Sequence, residues 1–332
     1  MAWTVAIGVD THKDVHVAVA CDRVGGQLDM CEIAPGPDGY ARMLAWAQEL
    51  GEPAFAIEGC GSYGAGLARF LAAAGVAVWE CERPRRRDRR RGKNDLIDAA
   101  LAARRLLTGE GLSVPRSGEH RDELRLLLLE RRGVIQARTA ALNQLQAATL
   151  TPTLPERLRS LGGESLVRAC LKLRLGSPEQ AIVRRLARRI RQLDTELVDV
   201  DRQLQAAVVA SAQPLLDECG VGVICAAQMI VSSGDARRMR SEAAFAALAG
   251  TSPVDASSGR QHRHRLNRGG DRQLNRALHV IALSRIRYHP QTRSYYERLL
   301  ASGKTNREAR RCVKRALARH FYRRLLTLHA PT

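Results

Sequence analysis

The chain opens on apolar runs of strand character. Residues 3–9 (Trp-Thr-Val-Ala-Ile-Gly-Val) and 14–20 (Asp-Val-His-Val-Ala-Val-Ala) are rich in β-branched residues, and Asp10-Thr11-His12-Lys13 between them reads as a hairpin connection. A third strand is predicted near 28–34, after Gly25-Gly26. Behind Pro35 and Pro37 the pattern predicts a helix over 38–50, then a strand over 54–58, a helix over 63–74, a strand over 76–80 and a helix over 94–107. From about residue 119 the period becomes that of long helices. Leu124 to Leu150 is apolar at helical spacing, and Val183, Leu186, Ile190, Leu193, Leu197, Val200 and Leu204 recur at alternating steps of three and four, three heptads of seam. Thr151-Pro152-Thr153-Leu154-Pro155 and a Gly162-Gly163 break lie between, which predicts two long helices packed antiparallel, within one chain or against a second copy.

The first eight elements run β-β-β-α-β-α-β-α, the order of a ribonuclease-H-like α/β domain. Three parts are therefore expected: that domain over 1–112, a long helical coiled-coil connector over 113–212, and a mainly α C-terminal domain over 213–330. In the last part, Leu215 to Ile230 reads as a helix, a turn containing Gly220 and Gly222, and an apolar helix. It resembles a helix-hairpin-helix element, whose turn amides and helix N-terminus receive a phosphate; a helix–helix turn with no nucleic-acid contact is the plainer alternative.

Charge divides the chain more sharply than hydropathy does. The 332 residues carry 53 Lys+Arg against 34 Asp+Glu, a formal charge of +19. All but five of the basic residues are arginine, whose planar fork grips phosphates with two hydrogen bonds. Yet residues 1–80 hold four basic and ten acidic side chains, while 256–324 hold nineteen basic and three acidic ones. Seven further arginines crowd into Arg83 to Arg91. The N-terminal part is suited to cations and the C-terminal part to a polyanion. Eight cysteines without a C-x-x-C or a Cys/His spacing indicate reduced thiols and no zinc site. Without an apolar run of membrane-spanning length, a cytoplasmic protein with no membrane partner is expected.

Four acids fall where the inferred topology brings them together. Asp10 closes the first strand and Glu58 the fourth, neighbours in a ribonuclease-H-like sheet, while Asp95 and Asp98 sit three apart and so share one helix face. Singly, Asp95 and Asp98 are also what a helix N-terminus prefers, and Asp10 what a turn prefers. As a set they would repel one another unless hard divalent cations such as Mg²⁺ were bound, two per site, suited to in-line displacement at phosphorus. Farther on, a Ser257-Ser258-Gly259 turn lies among Arg260, Arg263, Arg265, Arg268, Arg272 and Arg276, a setting for phosphate binding and for nucleophilic attack, although Ser-Gly is also an ordinary turn.

Together, G-V-D-T-H-K-D (8–14), A-I-E-G-C-G-S-Y-G (56–64), K-N-D-L-I-D-A (93–99), the G-x-G helix pair, A-G-T-S-P-V-D-A-S-S-G and L-N-R-G-G-D-R-Q-L-N-R-A-L resemble the DEDD transposases of the insertion-sequence one-ten family. The resemblance covers nearly the whole chain, with its blocks in the family's order. It implies that Asp10, Glu58, Asp95 and Asp98 bind Mg²⁺ and that a serine becomes transiently joined to a DNA 5′-phosphate. Ser258 is assigned as that nucleophile, with Ser257 its competitor. The resemblance further implies donor and target DNA, a structured noncoding guide (bridge) RNA, a homo-oligomer (dimer or tetramer), and a bacterial, nucleoid-associated setting. Arg85, Arg86, Arg87, Arg89, Arg90 and Arg91 are expected to contact nucleic acid, together with Gly220, Gly222 and the arginines around Ser258. A chain with 4% aromatics and many arginines suits delegation of sequence reading to base pairing.

Other readings are open on residues alone. A RuvC-like Holliday-junction nuclease would need only the four carboxylates; a sugar-kinase-like ATPase also opens on such a Gly-Val-Asp hairpin; and an architectural nucleic-acid binder would need no chemistry. His12 and His16 are read as ordinary loop and strand histidines, His262 and His264 as additional phosphate contacts. Tyr288, Tyr295 and Tyr296 are read as packing residues rather than as recombinase nucleophiles.

Overall fold

The computed structural model describes residues 3–81, 94–116, 120–174, 176–255, 264–265, 267 and 269–328. The chain divides into two compact units, Met1–Ser117 with Asp235–Ser241, and Gly118–Gly234 with Glu242–Thr332.

The first unit is a mixed sheet with helices on both faces. Its elements are β1 (Val5–Thr11), β2 (His16–Cys21), β3 (Gln27–Ile33), α1 (Pro37–Glu49), β4 (Pro53–Glu58), α2 (Ala65–Ala73), β5 (Ala77–Cys81), α3 (Asp95–Thr108) and β6 (Leu112–Ser113). The strand order is β3-β2-β1-β4-β5-β6; β1, β4 and β5 run parallel and the others antiparallel to their neighbours. The eight predicted elements are present, each within two residues of its expected bounds; the two-residue β6 carries too little pattern to be foreseen. One shift matters: β1 continues through Asp10, which faces Val17 of β2, so Asp10 is a strand residue and not part of the hairpin connection.

Strand alternation sorts the two faces. Ile7, Val9, Phe55 and Ile57 pack with Met43 and Ala47 of α1 and with Leu67 and Leu71 of α2. On the opposite face Ala6, Ala54 and Ala56 meet Ala99, Ala102 and Ala103 of α3. Small residues on both partners let α3 lie directly against the sheet. At Gly8 a Cβ would stand 1.9 Å from the Ala99 carbonyl oxygen, so only glycine permits this approach. Asn94 caps α3, its side chain accepting from the Leu96 amide, and Gly109 ends the helix at φ 70°, its amide donating to the Arg105 carbonyl.

The second unit is helical: α4 (Arg121–Ala148), α5 (Gly163–Leu171), α6 (Pro178–Leu216), α7 (Val223–Ser233), α8 (Glu242–Leu248), the short pair β7 (Val254–Asp255) and β8 (His264–Arg265), α9 (Arg272–Tyr288), α10 (Pro290–Ala301) and α11 (Asn306–Leu328). Helices α4 and α6 pack antiparallel within the chain, cross-tied by Arg131–Asp201 at 2.6 Å and by Arg138–Asp194. Of the predicted seam, Val183, Ile190, Val200 and Leu204 are buried, whereas Leu186, Leu193 and Leu197 are half-buried. The glycine break starts α5, whose Leu166, Val167 and Cys170 join Leu145, Leu158 and Ile190 in a core of their own. With three buried positions in nine residues, α5 offers too short a period to be read from sequence. Helix α6 kinks at Ala212 (φ −159°), two residues before Pro214, which lacks the amide that a continuous helix requires. No helix among the described residues is long and apolar enough to cross a membrane.

Candidate active site

Asp10 and Glu58 are the next residues after the paired Val9 and Ile57 of the adjacent parallel strands. Alternation turns both toward the face covered by α3, because Val9 and Ile57 point the other way. The Thr11 hydroxyl donates to the Glu58 carbonyl at 2.7 Å and ties the two strand ends together. Gly59, at φ 78°, then turns the chain immediately after Glu58. Asp95 and Asp98 occupy the first turn of α3, where the helix dipole favours acids. Asp10, Glu58 and Asp98 are buried, and Asp95 is half-buried.

Burial pushes the Asp10 carboxyl above the usual carboxylate range; His12 opposes this, and the charges of Asp95 and Asp98 reinforce it. His12 Nε2 lies 3.2 Å from Asp10 Oδ2 and 3.4 Å from Asp95 Oδ1. One donor atom from each of Asp10, His12 and Asp95 falls within 4.8 Å of the others, a spacing that fits a single cation. A buried carboxylate held unfavourably among other carboxylates is what a divalent cation relieves, so the donor set fits a divalent metal ion. The sequence reads His12 as an ordinary loop histidine; its contacts with both carboxylates make it a candidate site residue, and its place two residues beyond Asp10 at a strand end is the signal for it. His16, by contrast, is fully buried and stacked on Tyr40 at 6.1 Å, and burial pushes its pKa down, as a packed neutral histidine requires.

In the second unit, Gly220 and Gly222 lie in the turn between α6 and α7. Gly220 has φ 80°, and a Cβ there would meet Ser284 at 3.0 Å; Gly222 is the N-cap of α7 and has open space around its α-carbon. The turn is anchored through Glu218, which accepts from Arg285 and Arg324 at 2.6 Å and contacts His320 Nε2 at 3.1 Å. Burial works against this carboxylate, but the bonds from Arg324, His320 and Arg285 outweigh it and hold its pKa at about 2.

The G-G-D motif proves to be structural. A Cβ at Gly270 would come 2.3 Å from the Gly250 amide nitrogen, and Asp271 caps α9 by accepting from Gln273 and Leu274 while its other oxygen accepts from Ser232. Asn275 donates to the carbonyls of Ala249 and Gly250. Arg265 on β8 and Arg272 and Arg276, one turn apart on α9, are exposed. Ser257, Ser258, Arg260, His262, Arg263 and Arg268 lie outside the described residues, as do Arg85, Arg86, Arg87, Arg89, Arg90 and Arg91; of His264 only the backbone is described. Tyr288 is exposed, and Tyr296 donates to Asn306 at the start of α11, so the tyrosines are not core residues.

A family model described as Transposase IS116/IS110/IS902 family matches residues 212–297, and the DEDD transposase model of IS110 matches residues 7–155. An uncharacterized 42 kDa protein of the insertion element IS900 from Mycobacterium paratuberculosis is 28% identical over 368 aligned positions, covering 93% of this chain and 92% of that protein. A probable family 20 transposase of Pseudomonas aeruginosa is 31% identical over 152 residues, 44% of this chain and 45% of that protein. An uncharacterized 43.6 kDa protein of insertion element IS110 from Streptomyces coelicolor is 41% identical over 91 residues, 27% of this chain and 22% of that protein. With the carboxylate rim in one matched block and the Gly220–Gly222 turn and α9 in the other, the chain belongs to the IS110 family of DEDD transposases, DNA-acting enzymes of insertion sequences.

Proposed function

We propose that this transposase is a guided recombinase that cuts and exchanges DNA strands through a phosphoserine intermediate. Its parts are a ribonuclease-H-like (RuvC-like) domain over 1–112, a coiled-coil connector over 113–212 and a serine-bearing domain over 213–330. The observation that carries the reading is the register of β1 and β4, with Asp10 and Glu58 side by side and the first turn of α3 beside Asp10. Asp10, Glu58, Asp95 and Asp98 hold two Mg²⁺ ions, which when bound supply positive charge at the scissile phosphate. His12 orients the Asp10 and Asp95 carboxylates by contacting both.

Ser258 Oγ loses its proton and attacks phosphorus. The new Oγ–P bond forms as the P–O3′ bond breaks, and the 3′ oxygen leaves as a hydroxyl. A 3′-hydroxyl of the other DNA then attacks that phosphorus, and Ser258 recovers its proton. Donor and target are chosen by a structured bridge RNA encoded by the same element. Acidic and serine-bearing domains of different copies combine in a dimer or tetramer, in the bacterial cytoplasm at the nucleoid. The exposed Arg265, Arg272 and Arg276 and the open N-terminus of α7 at Gly222 contact backbone phosphates.

The test is denaturing electrophoresis of end-labelled donor and target DNA incubated with the protein, Mg²⁺ and RNA transcribed from the flank of its gene. A covalent protein–DNA band is expected from wild type and from Ser257→Ala, and none from Ser258→Ala. Cleavage retained without any adduct in Ser258→Ala would overturn the phosphoserine step in favour of a junction nuclease that uses the four carboxylates alone.

A further inference from the structure

A cavity of about 460 Å³ lies in the second unit, against α10, α11 and the turn that leads into β7. Six cationic side chains line it: Arg265, Lys304, Arg311, Lys314, Arg315 and Arg319. Among the described residues a single carboxylate, Glu308, shares that wall, and it is already engaged by the amide and hydroxyl of Thr305 at 2.9 and 2.8 Å. Glu242 of α8 matches Arg319 at 2.8 Å from outside the lining. Glu308 also lies 4.0 Å from Arg311, which leaves Arg265, Lys304, Lys314 and Arg315 on the wall without a carboxylate partner among the described residues.

The cations are positioned, not merely numerous. Lys314 is 7% exposed, and its Nζ donates to Asn275 Oδ1 at 2.6 Å. Asn275 is in turn held by the carbonyls of Ala249 and Gly250, so the lysine is fixed to the same turn that forms one side of the cavity. Burial, and then Arg311, push its pKa down, a cost that a bound anion offsets. Arg315 Nη1 is shut off from solvent and has no hydrogen-bond partner among the described residues, a donor without an acceptor. Tyr295 adds an aromatic ring to the wall, with the Arg298 guanidinium 5.9 Å from its centroid. Finally, Pro253 next to β7 and Arg265 of β8 both line the cavity, and the two strands pair.

We propose that this cavity receives a phosphodiester of single-stranded DNA together with one unpaired nucleotide, Lys314 and Arg315 gripping the phosphate and Tyr295 flanking the base or sugar. The volume suits one nucleotide and not a duplex, and fixed donors around a recess favour a strand bent into it. The inference rests on the reading that this unit handles DNA, but it concerns equilibrium binding and not the phosphoserine step.

The experiment uses the full chain carrying Ser258→Ala, so that no chemistry occurs, and fluorescence anisotropy with a labelled 12-nucleotide single-stranded DNA over a range of salt concentrations. Arg315→Gln and Lys304→Gln are each expected to weaken binding by about tenfold and to lower the salt slope by about one. Arg202→Gln, on α6 and away from the cavity, is the control and should bind as its parent does. Lys314→Met removes a buried cation and is scored only where its circular dichroism matches the parent. Parent-like affinity and salt slope in both Arg315→Gln and Lys304→Gln would overturn the proposal. So would a loss confined to RNA of the same sequence, or dTMP bound through Arg315 with the oligonucleotide unaffected, which would make the cavity a free-nucleotide site. Loss of binding in these variants while wild type forms no serine adduct would retain the cavity and reject the phosphoserine reading.

Discussion

Asp10 and Glu218 are both carboxylates largely shielded from water, and their surroundings push them in opposite directions. Asp10 sits on a rigid strand with two other acids charging the same space and His12 as its modest compensation, so burial prevails and its pKa rises. Glu218 sits at a helix end among Arg285, Arg324 and His320, and those three hold it at about 2 against the same penalty. Desolvation is common to the two; what differs is whether the protein itself supplies the opposing charge. Where it does, the carboxylate stabilises the fold. Where it withholds that charge, the fold keeps a strained cluster that an outside cation can relieve, which is the pattern of a functional site.

The largest effect should come from breaking the first half of this contrast. Asp10→Asn is expected to reduce strand cleavage by about 10²-fold or more. In metal-free buffer the same substitution should raise the melting temperature, since it removes a charge that the fold disfavours. Cleavage assays and thermal melts of one preparation give both readings, and a lowered melting temperature would mean that Asp10 is a structural residue like Glu218. For the second half the expectation reverses. Glu218→Ala leaves Arg285, 5% exposed, without its acid partner, and should destabilise the protein by about 3–5 kcal/mol in chemical denaturation.

These two carboxylates were not equally legible in the sequence. Asp10, Glu58, Asp95 and Asp98 could be grouped because strand alternation and helical spacing are local rules, and the three short motifs that carry them sit at the ends of elements those rules define. Glu218 could not, since Arg285 and Arg324 reach it from 67 and 106 residues away on helices whose packing no local pattern fixes. The same holds for the cation-lined cavity, where Lys314 meets Asn275 only once α9 and α11 pack. The charge imbalance of residues 256–324 announced a polyanion partner without saying which cations converge. The G-G-D motif was visible as a family block, yet its role as a cap and a backbone contact emerged only with Gly250 beside Gly270.

A smaller effect tests what holds the acidic cluster together. In Gly8→Ala the new methyl group would overlap the Ala99 carbonyl and the Ala103 amide, so α3 must withdraw from β1. Overpacking of this kind should cost about 2 kcal/mol. Asp95 and Asp98 travel with α3, so cleavage should fall as well, although both acids remain in the chain. Unchanged cleavage in a destabilised Gly8→Ala protein would show that the α3 acids do not need their distance from Asp10 held tightly.

The smallest effect is a pH dependence that belongs to one side of the contrast alone. Glu218 has an ordinary value of 4.5 and is held at about 2 in the folded protein, so its folded pKa is depressed. Its stabilising contribution is therefore complete above pH 4.5 and is lost as pH falls toward 2. Wild type should exceed Glu218→Gln in stability by about 1–2 kcal/mol at pH 6, allowing for the partial exposure of Arg324 and His320, and the two should converge by pH 2. Denaturation at fixed ionic strength between pH 6 and 2 measures this gap, and a gap that stayed constant to pH 2 would mean that Glu218 stabilises through shape and not through charge.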